Sequence, residues 1–357
     1  MNKLHLLSAG LAALAPLSAA AQSCTEIQLD TERLACYDRA AGRVNAAVPA
    51  AAPAAISAPA AAVPTAVATS APTPAPSSPP TKWTGQTFSE RFQLDPETKD
   101  GLFKVKPHMP VYVLPLSWRQ HVNRNPSSAN PRNNALGAGE TNKNLEAKFQ
   151  LSLKTKMMQN ILGSEIDWWA AYTQQSFWQV YNAEESRPFR ESNYQPETFV
   201  TMPLRLGSES FQLRMLNLGL VHQSNGQTDP LSRSWNRIYA TLGATSGGLS
   251  LFVKPWWRVK EKAETDNNPD ISDYAGRIEV QAIYNFGEHI VSATLQNNLK
   301  FNTSTPNRSN VQIEWAFPLF SELHGYVRGF GGYADSLQNY NFRNNGIGLG
   351  VSLVQWR

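Results

Sequence analysis

From about residue 109 to the end of the chain, apolar and polar residues alternate with a period of two. In 145–153 the odd positions are Leu145, Ala147, Phe149, Leu151 and Leu153, and the even ones are Glu146, Lys148, Gln150 and Ser152. Ile278, Val280, Ala282, Tyr284 and Phe286 alternate with Glu279, Gln281 and Asn285, and Ile347, Leu349, Val351 and Leu353 with Gly348, Gly350 and Ser352. Successive side chains of a strand point to opposite faces, so each segment reads as a two-faced β-strand. The same pattern recurs near 109–117, 166–179, 197–205, 213–224, 235–243, 249–259, 289–297, 310–317 and 323–331. The total is about twelve strands, and an even number of such strands in antiparallel order predicts an all-β transmembrane barrel. Pairs such as Trp168-Trp169, Phe177-Trp178 and Trp256-Trp257, with Trp356 near the end, fall at strand ends, where interfacial aromatic girdles belong. The soluble alternative is an exported β-sandwich, which the long, evenly spaced strands and rich polar faces disfavour.

The first 81 residues break this pattern. Lys3, the apolar run Leu6–Leu17 and Ala19-Ala20-Ala21 read as a secretory signal peptide over residues 1–21. Residues 22–43 are expected to form a small periplasmic segment carrying Cys24 and Cys36, the two cysteines of the chain, as a disulfide; a pair of free thiols is the alternative. Residues 44–81 hold 15 Ala and 9 Pro and no charged or aromatic residue. They cannot build a core and read as a semi-rigid linker, so the barrel domain is expected over 82–357.

Composition narrows the class further. The chain of 357 residues is 41% hydrophobic and 17% charged, against roughly 45–50% and about 25% in soluble domains. Its polarity is therefore carried by amides, hydroxyls and glycine. No stretch beyond the leader reaches 18 consecutive apolar residues, which excludes a helical membrane protein and leaves a barrel possible. A net charge of +4, dispersed along the chain, gives no basic stripe for nucleic acid. A barrel of about twelve strands is narrow and filled by side chains, so free diffusion through it is a poor default.

Candidate chemistry lies in 214–242. Leu216, Leu218, Leu220, His222 and Ser224 share one parity, so a histidine and a hydroxyl extend a leucine stripe that faces lipid. Polar groups there are costly and are functional candidates by default. On the next strand Asn236, Ile238, Ala240 and Leu242 share a face, which sets Asn236 beside His222 across a hairpin centred near Asp229. Ser224, His222 and Asn236 form a nucleophile, base and orienting amide; a plain cluster of rim residues is the alternative. Gln174 lies on the apolar parity with Trp168, Ala170 and Tyr172, where its amide needs a partner that a second copy could supply.

The segment around His222, with "AEESRPFRESNYQPETF", "EAKFQLSL", "VKPWWR" and "DNNPDI", resembles the outer-membrane phospholipase A family, with "HQSNG" and "SRSWNR" carrying the reaction. The resemblance implies a twelve-stranded, calcium-dependent, dimeric barrel that hydrolyses phospholipid acyl esters, with Ser224, His222 and Asn236 as triad. It implies a calcium ion held by the Gln227 carbonyl, the Ser232 hydroxyl and Ser186 of the second subunit, and an oxyanion site at the Gly226 N–H. Family members often carry Arg at the position of Gln227. Asp229 and Asn267, in the Asp266-Asn267 stretch, match a second calcium site, weakened because Asn267 replaces an acid. Gln174 matches a position at the dimer interface. A non-enzymatic outer-membrane pore and a structural anchor are the rival readings from other classes.

Overall fold

The computed structural model describes residues 32, 33, 36, 87–208, 210–302, 304–320 and 323–354. The expected leader, the linker and most of the small segment before it, including Cys24 of the expected disulfide, lie outside these residues. So do Trp356 and Arg357.

One antiparallel sheet organises the described chain. Its strands are β1 (Val105–Pro107), β2 (Val111–Arg119), β3 (Leu145–Met158), β4 (Asp167–Trp178), β5 (Phe189–Ser208), β6 (Phe211–Ser224), β7 (Ser234–Ser246), β8 (Leu249–Val259), β9 (Ile278–Phe286), β10 (His289–Asn297), β11 (Ser309–Phe320), β12 (Leu323–Gly332) and β13 (Asn344–Val354). Each of β2 to β13 pairs with its neighbour in sequence, and β13 pairs back onto β2, closing a twelve-stranded barrel. The short β1 pairs with β3 beyond the end of β2, so β1 and β2 act as one strand broken around Pro110. The expected strands of 278–286 and 289–297 match β9 and β10 residue for residue.

Burial follows the alternation in the sense a membrane requires. Along β3 the buried side chains include Glu146, Lys148, Gln150, Ser152, Lys154 and Lys156, while Leu151 is exposed. Along β13, Ile347, Leu349 and Leu353 are all exposed. The polar face thus points into the lumen and the apolar face outward, the reverse of a soluble sandwich. Buried charges need partners, and the lumen supplies them: Arg190 forks onto Glu146 at 3.0 Å, and Lys148 and Arg328 both meet Asp335. A cavity of about 200 Å³ remains, lined by polar residues such as Gln150, Gln175, Gln223 and Arg237. That is room for on the order of ten waters in an otherwise filled barrel.

A short helix, α1 (Phe88–Phe92), was not anticipated from the strand pattern. Thr87 caps it and exchanges hydrogen bonds with Glu90, a capping box. Phe88 and Phe92 pack on Phe252, with Met215, Tyr112 and Leu94 in the same buried cluster. The helix therefore fills one end of the lumen with apolar side chains.

That end carries the short connections, including the turns at 247–248 and 287–288, whereas 120–144 and 260–277 are long loops at the opposite end. In outer-membrane barrels long loops face the exterior of the cell, so the ends of β6 and the starts of β7 lie at the outer rim. An arginine at the exposed mid-strand position Leu349 is expected to destabilise the barrel by about 2–4 kcal/mol, read by denaturant unfolding from lipid vesicles. A loss below about 0.5 kcal/mol, as for a soluble protein's surface, would contradict the lipid-facing assignment.

Candidate active site

His222 and Asn236 stand directly opposite each other in the β6–β7 register, and Ser224 stands opposite Ser234. The outward parity is explicit. Leu220 and Ile238 are 54% and 48% exposed, while Trp235 and Tyr239, on the other parity, are 2% and 3% exposed inside the lumen. His222, Ser224 and Asn236 are half-buried at the end of this outward row. A 2.8 Å hydrogen bond joins His222 Nδ1 to Asn236 Oδ1. Because the amide oxygen can only accept, Nδ1 carries a proton, and in the neutral imidazole the lone pair then lies on Nε2. Among the described residues no hydrogen bond links Ser224 to the imidazole. The two share a face two residues apart, and such contacts commonly tighten only when substrate binds.

The loop after Ser224 is held by residues the sequence reading passed over. Buried Asn225 donates to the Leu231 carbonyl at 2.8 Å and accepts from the backbone N–H groups of Gln227 and Arg233. Arg233 is fully buried and donates to the carbonyls of Pro230, Ser232 and Asn133. Asn268 accepts from the Ser234 N–H, fixing the start of β7. Their signal was available in the polar run of 225–236, yet which polar residues turn inward depends on contacts with the distant loop at 120–144. Gly226 sits at φ 63°, and a Cβ there would come within 2.9 Å of the Tyr194 ring. Both the backbone and the space therefore require glycine.

The remaining candidates gather around this loop to different degrees. Gln227 donates from its side-chain amide to the Arg190 carbonyl and accepts from Gln338 on its side-chain oxygen at 3.4 Å, while no hydrogen bond reaches its main-chain carbonyl among the described residues. The Ser232 hydroxyl accepts from Asn267 at 2.7 Å. Asp229 is exposed and accepts from Asn133, whereas neighbouring Asp266 is buried and paired with Arg258 at 2.7 Å. Asn267 thus meets the Ser232 side of the loop, and Asp266 is engaged elsewhere. Ser186 is exposed in the loop between β4 and β5 at φ 57°. Gln174 is half-buried on the outward face, accepting from Tyr172 and donating to Ser176. It pairs with Tyr194, which pairs with Ser224, so Gln174 and the candidate nucleophile lie at one level, two strands apart. Among the described residues no group of three or more His, Cys, Asp or Glu could hold a metal.

Residues 88–353 match the family model described as phospholipase A1. The chain belongs to the phospholipase A1 family. It is 37% identical over 263 residues to the putative phospholipase A1 of Neisseria meningitidis serogroup B, covering 73% of this chain and 68% of that protein. It is 39% identical over 208 residues to phospholipase A1 of Escherichia coli K12, covering 58% of this chain and 69% of that one. Among solved structures it resembles the outer membrane phospholipase A from Escherichia coli, with a TM-score of 0.63 and 33% identity over 71% of this chain and 100% of that chain. It also resembles the Salmonella typhi outer membrane phospholipase dimer with bound calcium, with a TM-score of 0.62 and 34% identity over 70% of this chain and 92% of that one. Like these relatives, this phospholipase A1 family member is an integral outer-membrane β-barrel.

Asn225 tests the loop. Asn225→Ala removes three side-chain hydrogen bonds, each worth about 1 kcal/mol. Ester hydrolysis is expected to fall tenfold to roughly a hundredfold while the barrel keeps its folded electrophoretic mobility. Wild-type activity in this variant would show that the loop does not order the site.

Proposed function

We propose that the protein hydrolyses the sn-1 and sn-2 acyl esters of phospholipids and lysophospholipids, with Ser224 as nucleophile, His222 as base and Asn236 as the orienting residue. The observation that carries this reading is the His222–Asn236 hydrogen bond on an outward-facing row that ends at Ser224. A phospholipid in the outer leaflet reaches that row sideways, without entering the lumen.

Ser224 Oγ attacks the ester carbonyl and passes its proton to His222 Nε2. The imidazolium, held through Nδ1–H by Asn236, returns that proton to the departing glycerol oxygen as the tetrahedral intermediate collapses. Water, activated by the same nitrogen, then hydrolyses the acyl-serine and releases the fatty acid. The backbone N–H of Gly226 is the donor proposed for the oxyanion, its left-handed conformation turning the peptide in a way a strand would not.

The oxygens at this loop suit a hard cation, because the Gln227 main-chain carbonyl carries no hydrogen bond among the described residues and the Ser232 hydroxyl accepts one bond, leaving a lone pair. Gln227, Ser232 and the Ser186 carbonyl of a second copy would hold Ca²⁺, which when bound supplies positive charge beside the developing oxyanion. Neutral ligands imply modest affinity, and a ligand from a second copy would tie catalysis to dimerisation. The position of Gln174 at the level of Ser224, two strands away, supports this, since a dimer contact at Gln174 brings the second barrel against the site. Asp229 and Asn267 are the candidates for a second, weaker calcium site.

Ser224→Ala is expected to abolish fatty-acid release from phospholipid micelles with folding intact. An excess of a calcium chelator should lower wild-type release to the same level, with Ca²⁺ restoring it and Mg²⁺, which demands tighter octahedral geometry, failing to do so. Undiminished release by Ser224→Ala would overturn the assignment.

A further inference from the structure

The outward row does not end at Asn236. In the β7–β8 register Asn236 stands opposite Val259, and Trp257 and Val259 are exposed on the outward face of β8. Two residues further on, Glu261 keeps that parity and is half-buried. The Asn236 amide, through Nδ2, donates to Glu261 Oε1 at 3.4 Å. Four polar side chains therefore run across three adjacent strands: Ser224 and His222 on β6, Asn236 on β7 and Glu261 just past β8.

An asparagine amide is symmetric in shape and opposite in chemistry at its two ends. Flipped, it would offer Nδ2 to the imidazole, force the proton onto Nε2 and abolish the lone pair that the base needs. A carboxylate accepts and never donates, so Glu261 beside Nδ2 disfavours the flip, which would set Oδ1 against a negative charge. Its charge also favours the imidazolium formed when His222 takes the serine proton.

We propose that Glu261 is a positioning residue for hydrolysis, locking the Asn236 amide in the orientation that keeps His222 Nε2 unprotonated, and stabilising the imidazolium through that amide. The inference rests on the proposed function and deepens it. Facing Glu261 are Asp266, Arg258 and His222. Burial first, and then the Asp266 carboxylate, push the Glu261 carboxyl up from its ordinary value; Arg258, the Asn236 amide and His222 pull it down. The net rise is what partial desolvation without full charge compensation produces.

The test compares wild type, Glu261→Gln, Glu261→Ala and Ser224→Ala in fatty-acid release from calcium-containing phospholipid micelles across pH, with folded mobility on electrophoresis as control. Glutamine keeps the volume and loses the charge, and it can accept or donate, so it no longer selects one amide orientation. Glu261→Gln is expected to lower kcat about threefold to tenfold with little change in KM, the scale of a charged hydrogen-bond partner exchanged for a neutral one. Losing the negative charge removes part of what stabilises the imidazolium, so the acid limb of the profile should move to lower pH by about half a unit. Glu261→Ala should show the same shift with a larger fall in kcat. Wild-type plateau and acid limb in both variants would overturn the proposal. So would full rescue by glutamine with an unmoved limb, which would mark Glu261 as filling space. Release by wild type that does not depend on Ser224 would instead sink the proposed function, and this inference with it, whereas Ser224-dependent release indifferent to Glu261 would sink the inference alone.

Discussion

Hydrocarbon offers no hydrogen-bond partner to a peptide group, so every backbone N–H and C=O crossing the membrane must be paired within the chain. Closing β13 onto β2 meets that demand, because it removes the sheet edges that lipid could not satisfy. Closure then fixes the side chains: each strand must send alternate residues outward to lipid and inward to the lumen. A residue's chemistry is legible from its parity, and a polar residue of outward parity is an exception with a cost. His222, Ser224, Asn236, Glu261 and Gln174 are such exceptions, and they share one end or one level of the barrel.

The lumen turns the same constraint into rigidity. Glu146 lies between Arg190 and Arg119, and Asp335 between Lys148 and Arg328, so the inward charges are compensated across strands distant in sequence. Removing one partner would strand a buried charge, which is costlier than the pair is stabilising. Gln227 is tied to the backbone of Arg190, and Asn133 in the long 120–144 loop touches Asp229, Ser232 and Arg233. The outward-facing site is therefore built on an inward-facing network. That is how a partly exposed cluster can keep the fixed geometry that the proposed nucleophilic catalysis would require.

Strands with one apolar face were legible in the sequence at close to residue resolution, as β9 and β10 illustrate, because lipid keeps the outward positions apolar along most of their length, even where Ile283 and Ile290 turn inward. Where that enforcement lapses, the reading shortened. The alternation expected over 197–205 is the middle of β5, which runs Phe189–Ser208. Its first residues, Arg190, Glu191 and Asn193, are buried by lumen and loop contacts rather than by any apolar stripe, and their neighbours are not lipid-facing enough to alternate with them. Helix α1 was missed because a five-residue helix is held by Phe252 and Met215 from other strands, although the Thr87 and Glu90 capping pair was there to be read. The parity of His222, Ser224 and Asn236 could be deduced from spacing alone. Asn225, Arg233 and Glu261 could not, since their roles depend on register between strands and on which loop carbonyls lie within reach.

The central claim is that the serine of this family member is reached from the lipid side. It is tested most directly by treating the barrel in vesicles with a long-chain alkyl sulfonyl fluoride, which partitions into the bilayer, and with a small water-soluble sulfonyl fluoride, followed by mass spectrometry of the modified peptide. Calcium-dependent labelling of Ser224 by the alkyl reagent, faster than by the soluble one and lost in His222→Ala, is the expected result. Labelling confined to another serine, or reaction of Ser224 with the soluble reagent alone, would contradict a lipid-facing active site.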